Sequence, residues 1–185
     1  MGRLEEALRL RRLGLSVIPL HSPYMPLQNG GADKDQGKVP LIPWKEFQIR
    51  KASEDEIRQW WTQWPQANIG IVTGKVSGVM VLDVDGEEGR ESLSQFGSIT
   101  GSWSAKTGNG FHHYFTFPPE GIVCKTGFLP GLDIRGEGGL CGGSSVSPCV
   151  GNSLFLDQWS HRLRSLAHAG VSHRHFEIKN PGQWE

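Results

Sequence analysis

Nothing is left over in the charge balance of this chain: 19 Lys and Arg offset 19 Asp and Glu across 185 residues. A zero net charge neither marks nor excludes a nucleic-acid partner, because basic groups can line one groove while acids hold metal elsewhere. Cysteine is scarce. Cys124, Cys141 and Cys149 form no CxxC pair, which argues against a disulfide framework or a structural zinc site. No run of about 18 apolar residues occurs, so no membrane span is expected. The first residues, Met1-Gly2-Arg3-Leu4-Glu5-Glu6, carry acids and lack the apolar segment of a secretory signal. Glu6 also stands where a myristoylation pattern needs Ser or Thr. The cytoplasm is the expected compartment. What is present is ordinary for a soluble protein: 37% hydrophobic residues, enough for one domain with a real core.

Leu4, Ala7, Leu8 and Leu10 recur at helical spacing, and Gly14 offers a stop. Ser16-Val17-Ile18-Pro19-Leu20 reads as a short strand, placed near an edge by Pro19. His21 to Gly37, rich in Pro, Gly, Asn and Asp, reads as a long loop. Ser53-Glu54-Asp55-Glu56 is a capping box with Ile57, Trp60, Trp61 and Trp64 behind it, a stripe that reads as core rather than a base-stacking platform. Asn68 to Gly74 and Val79 to Asp83 read as two neighbouring strands, and Gly86 to Phe96 as a helix. Ser102 to Lys106 and Phe111 to Phe117 form a hairpin around an Asn-Gly turn. Gly131 to Gly136 is one more short strand. Helices mixed with strands predict an α+β domain.

Three places carry chemistry. Asp83 and Asp85 end an apolar strand two residues apart, so both carboxylates project to one face. Carboxylates this close repel unless a cation lies between them, and hard oxygen donors suit Mg²⁺ or Mn²⁺. The plainer alternative is a strand-ending Asp-Gly turn. Lys106 to Phe115 sets a glycine-bearing turn before an aromatic strand, where only one of His112 and His113 can share the carboxylates' face. The plainer alternative there is a partly buried structural histidine. Asp133 and Arg135 share a face by the same alternation, between glycines that let phosphates approach the backbone. As a simple surface pair they would contribute little. Arg135 and Lys106 are the best phosphate partners on residue type and position.

Together, Leu82-Asp83-Val84-Asp85-Gly86, Gly110-Phe111-His112-His113-Tyr114-Phe115 and Leu132-Asp133-Ile134-Arg135-Gly136 resemble the three motifs of archaeo-eukaryotic-type primases. The bifunctional primase–polymerase domain of plasmids, phages and integrated elements is the most similar branch. The resemblance spans about residues 4 to 139 and includes Lys38-Val39-Pro40, the Trp-rich helix and Ala67 to Gly74. It implies an RRM-related mixed sheet with flanking helices. By position it implies that Asp83, Asp85 and Asp133 hold Mg²⁺ or Mn²⁺ and that His112 contacts the triphosphate of an incoming nucleotide. The implied reaction is attack of a 3′-hydroxyl on the α-phosphate of a nucleoside triphosphate, directed by a single-stranded DNA template. Any helicase would be a separate partner.

After Gly139 the pattern departs from the family. Codons exist for Leu140 to Cys149 that, read one base later, give a family-like Tyr-Val-Val-Ala-Pro-Pro-Ser run. The expectation is a catalytic domain over 1–139, truncated by a frame change, with a poorly packed foreign tail over 140–185. His161, His168, His173 and His175 fall in that tail without nearby acids or cysteines and make a poor metal site. Three other readings remain: a relaxase, which needs paired histidines and a nucleophilic Tyr24 or Tyr114; a nuclease using the same acids; and a primase-derived binding module without catalysis.

Overall fold

The computed structural model describes residues 2–22, 24, 37–95, 99, 103–142 and 147–148. Helix α1 (Arg3–Arg12) ends before Gly14, which takes a left-handed φ of 92° and turns the chain into strand β1 (Ser16–Leu20). The long loop expected from His21 lies almost wholly outside the described residues. After a 3-10 turn at Lys45–Gln48 comes α2 (Glu54–Gln63). Its capping box is closed in both directions: the Glu56 N–H donates to Ser53 Oγ at 3.1 Å, and the Ser53 N–H to Glu56 Oε2 at 2.8 Å. Ile57 and Trp61 from this helix are buried, with Trp60 and Trp64 packed at the margin of the same core.

The remaining elements are β2 (Asn68–Val72), β3 (Val79–Asp85), α3 (Gly86–Ser94), β4 (Trp103–Lys106), β5 (Gly110–Thr116), β6 (Lys125–Leu129), β7 (Leu132–Arg135), β8 (Leu140–Gly142) and β9 (Ser147–Pro148). They form two sheets, ordered β1-β2-β8 and β6-β7-β3-β5-β4-β9. The α+β class holds. The pairs between named strands are all antiparallel, and Val123–Glu137 adds an isolated parallel bridge. Short turns account for the antiparallel sense of the β4–β5 and β6–β7 pairs.

The two segments expected as neighbouring strands, Asn68 to Gly74 and Val79 to Asp83, meet only at the isolated Gly74–Val79 bridge. Gly74, at a φ of 106°, breaks the chain out of the first sheet, and Ser77 Oγ locks the turn by donating to the Val72 carbonyl. Strand β2 pairs instead with β1 and β8, and β3 with β5 and β7. Pro19 sits in edge strand β1, as its missing N–H requires.

Alternation along β3 then divides the molecule. Met80, Leu82 and Val84 join Phe115, Leu132 and Ile134 in one apolar cluster on one face. On the other face Val81 joins Tyr114, Ala105 and Cys141 in a larger cluster shared with α1, α2 and the first sheet. Asp83 and Asp85 continue that second face toward solvent, because apolar cover thins along the strand from fully buried Val81 to exposed Asp85.

Of the tail expected after Gly139, only Leu140–Gly142 and Ser147–Pro148 lie among the described residues. Residues Leu140–Gly142 pair with Val72–Gly70 of β2, and Cys141 is buried, so the start of the segment is built into the first sheet. Ser147–Pro148 pairs with β4. The rest of the expected tail lies outside the described residues.

Candidate active site

Three neighbouring strands place three side chains in one row. Asp83 on β3 is directly opposite His112 on β5 and directly opposite Asp133 on β7. Partners in register share a sheet face, so all three stand on the side that Val81 and Tyr114 occupy deeper in. The row is half-buried, with side-chain exposures of 21% for Asp83, 23% for Asp133 and 9% for His112.

One cation knits the acids together. Arg135 Nη2 donates to Asp133 Oδ2 at 2.8 Å and to Asp83 Oδ2 at 3.3 Å. His112 Nε2 stands 3.2 Å from Asp83 Oδ1. Asp133 Oδ1 accepts the Gly127 N–H at 2.7 Å. Burial works to raise the Asp83 carboxyl, but the hydrogen bonds and charges of His112 and Arg135 outweigh it and hold the group below its ordinary range. Burial likewise opposes the Arg135 charge, and the two aspartates overcome it, leaving the guanidinium above its ordinary value. Asp83 is therefore ionised at neutral pH.

Asp85 shares the face but not the cluster. It lies opposite Gly110, beyond the end of β7, so no carboxylate faces it across the sheet. Its Oδ1 accepts a hydrogen bond from Asn109 Nδ2 at 3.0 Å, and its N–H donates to the Gly131 carbonyl at 2.8 Å. Gly110 must be glycine at this position, since a Cβ there would run into the Val84 carbonyl. Asn109 is a site residue that the sequence presents only as turn chemistry; the Asn-Gly pair signals the turn, not the bond to Asp85.

Lys106 is not gathered into the site. It pairs with Phe111, one step out of phase with the Ala105–His112 pair, so it belongs to the opposite face. His113 also belongs to that opposite face, stacked on Phe111 at 6.1 Å. Burial, and then the charge of His112, lower its pKa. Opposed histidines remove the paired metal ligands that a relaxase would need. Burial also pushes the Tyr114 hydroxyl far above its ordinary range, which disfavours it as a nucleophile.

The donor set suits a divalent metal in kind: exposed or half-buried carboxylate oxygens at the end of an apolar strand. Its arrangement is not that of a finished metal site. Among the described residues no group of three or more His, Cys, Asp and Glu converges to hold a cation. Arg135 takes the position between Asp83 and Asp133, and Asp85 is turned to Asn109. His112 Nδ1 is buried with no hydrogen-bond partner among the described residues.

A family model described as the N-terminal domain of bifunctional DNA primase/polymerase matches residues 7–152. That span contains every residue of the row and runs past Gly139. No curated protein matches the chain. No helix among the described residues is long and apolar enough to cross a membrane.

Proposed function

The chain belongs to the bifunctional DNA primase/polymerase family, and on that premise we propose that it is a metal-dependent nucleotidyltransferase that lengthens a nucleic-acid strand on a single-stranded DNA template. The observation that carries this reading is the row of Asp83, His112 and Asp133 across three adjacent strands, with Arg135 between the two acids. Asp83, Asp85 and Asp133 would hold Mg²⁺ or Mn²⁺, which when bound stabilises the attacking 3′-oxygen and the leaving pyrophosphate oxygen.

Each side chain then has a defined task. Asp83 stays ionised and keeps its charge at the open end of β3. Arg135, relieved of part of its carboxylate pairing, turns its planar donors to triphosphate oxygens, a geometry that suits guanidinium better than ammonium. His112 stands beside Asp83 and contacts the same triphosphate. Asn109 fixes the position of Asp85. Phosphoryl chemistry of this kind depends on such positioning and on charge neutralisation more than on covalent help from the protein.

The ion pair of Arg135 with both acids supports a second reading: a primase-derived module that binds nucleotide or DNA without catalysis. Incorporation of labelled nucleotides on a single-stranded DNA template separates the two. The enzyme reading expects incorporation with Mg²⁺ or Mn²⁺, and losses of at least about a hundredfold in Asp85→Ala and Asp133→Ala, in line with removal of an electrostatic transition-state group. His112→Ala should impair nucleotide use more than DNA binding. Retained DNA binding with no incorporation by the unmodified chain would favour the binding module.

A further inference from the structure

Away from the acid row lies a surface pocket of about 620 Å³ lined by Arg11, Gln48, Lys51, Lys75 and Glu137, with Ile49 beside them. Three separate segments bring their cations to it: the last turn of α1, the stretch after the 3-10 turn, and the turn between β2 and β3. Elsewhere Arg9, Arg12, Arg50, Arg58 and Arg90 all pair with glutamates. Among the described residues neither Lys51 nor Lys75 makes an ion pair. Arg11 Nε donates to the Ala52 carbonyl, leaving the other guanidinium donors uncommitted. The one acid in the lining, Glu137, is committed to backbone: its Oε2 accepts the Lys75 N–H at 3.0 Å. The pocket is thus electropositive in a chain with no net charge.

We propose that this pocket holds the phosphate backbone of a single-stranded nucleic acid on its way to or from the acid row. The inference rests on the nucleotidyltransferase reading, which supplies the strand. Cations without carboxylate partners are the groups that release counterions on meeting phosphates. Ile49 is 88% exposed at the pocket, an unusual position for isoleucine, and offers an apolar surface to a base or sugar. The volume exceeds the needs of one small anion. Glu137 follows Arg135 by two residues, a reach of at most about 7 Å along the chain, so pocket and acid row are joined through the end of β7. Gln48, also in the lining, donates to the Gly138 carbonyl at 3.4 Å and holds the chain beyond β7 against the pocket.

The test is binding of fluorescein-labelled oligothymidylate to the full chain, followed by anisotropy between about 50 and 200 mM salt. Lys51→Gln/Lys75→Gln should weaken binding several-fold and reduce the log–log salt slope by about 1.4, at about 0.7 per lost single-strand phosphate contact. Arg58→Gln/Arg90→Gln, which removes the same charge from exposed positions elsewhere, should leave the slope unchanged. The thermal shift produced by Mn²⁺ with a nucleoside triphosphate should survive in both double variants, which also verifies their folding. Equal slopes in the two double variants would overturn the pocket assignment. A chain that responds to Mn²⁺ and triphosphate but binds no oligothymidylate would overturn the pocket and leave the acid row intact. A chain that responds to neither would overturn both. Saturable binding of inorganic pyrophosphate at the pocket, lost in Lys51→Gln/Lys75→Gln while DNA binding persists, would make it a small-anion site and overturn the strand proposal.

Discussion

Arg135 is the residue on which the acid row turns. Directly opposed residues on paired antiparallel strands have Cα atoms only about 4.5–5.5 Å apart, so the ionised carboxylates of Asp83 and Asp133 repel unless something positive lies between them. The guanidinium now does this, with bonds of 2.8 and 3.3 Å. Arg135→Ala should therefore cost roughly 1–3 kcal/mol in the absence of divalent ions, between the values for exposed and buried pairs. Urea unfolding with and without Mn²⁺ checks this. The loss should shrink when Mn²⁺ is added, since a cation can take over the vacated position. An equal loss under both conditions would mean that Arg135 is a structural pairing and no placeholder.

At the scale of elements, the capped start of α2 gives the fold a pH-dependent support. Hydrogen bonds from Arg50 and from Ser53 overcome burial and hold the Glu56 carboxyl down at about 2. A depressed folded-state pKa stabilises above the ordinary carboxylate range, and that contribution is lost as pH falls toward 2. Glu56→Gln should thus lower stability at neutral pH and flatten the decline between about pH 5 and 2. Urea midpoints across that range measure it, and parallel declines in both proteins would contradict it. The Glu56 cap is legible in the sequence because its bonds reach only three residues. So are the strand alternation that puts Asp83 and Asp85 on one face and the Asn-Gly turn. Three features are not legible, two for want of a long-range partner and one because a turn signal leaves the hairpin's register open. Strands β2 and β3 part because β8, some 70 residues on, takes the place beside β2. Lys106 faces away because the hairpin register pairs it with Phe111 rather than His112. Asp85 lacks an opposing acid because β7 begins only at Leu132, opposite Val84.

For the whole molecule, the chain just past Gly139 is built into the first sheet. Strand β8 buries Cys141 and completes the sheet that carries β1 and β2, and the family match continues to residue 152. A chain ending at Gly139 should melt several degrees below one ending at Pro148, because β2 would lose a ladder and the core a buried side chain. Equal melting temperatures would place the boundary at Gly139. On the proposed function, the acids spanning β3 and β7 exchange Arg135 for a divalent cation in order to handle a nucleoside triphosphate. The most direct test of that exchange is an electron paramagnetic resonance titration of Mn²⁺ into the full chain with a nucleoside triphosphate present, compared with Asp83→Asn. Saturable Mn²⁺ binding by the unmodified chain is expected, weakened at least tenfold in the variant by the loss of one ligating charge, about 1.4 kcal/mol or more. Equal Mn²⁺ binding by the unmodified chain and by Asp83→Asn would contradict it.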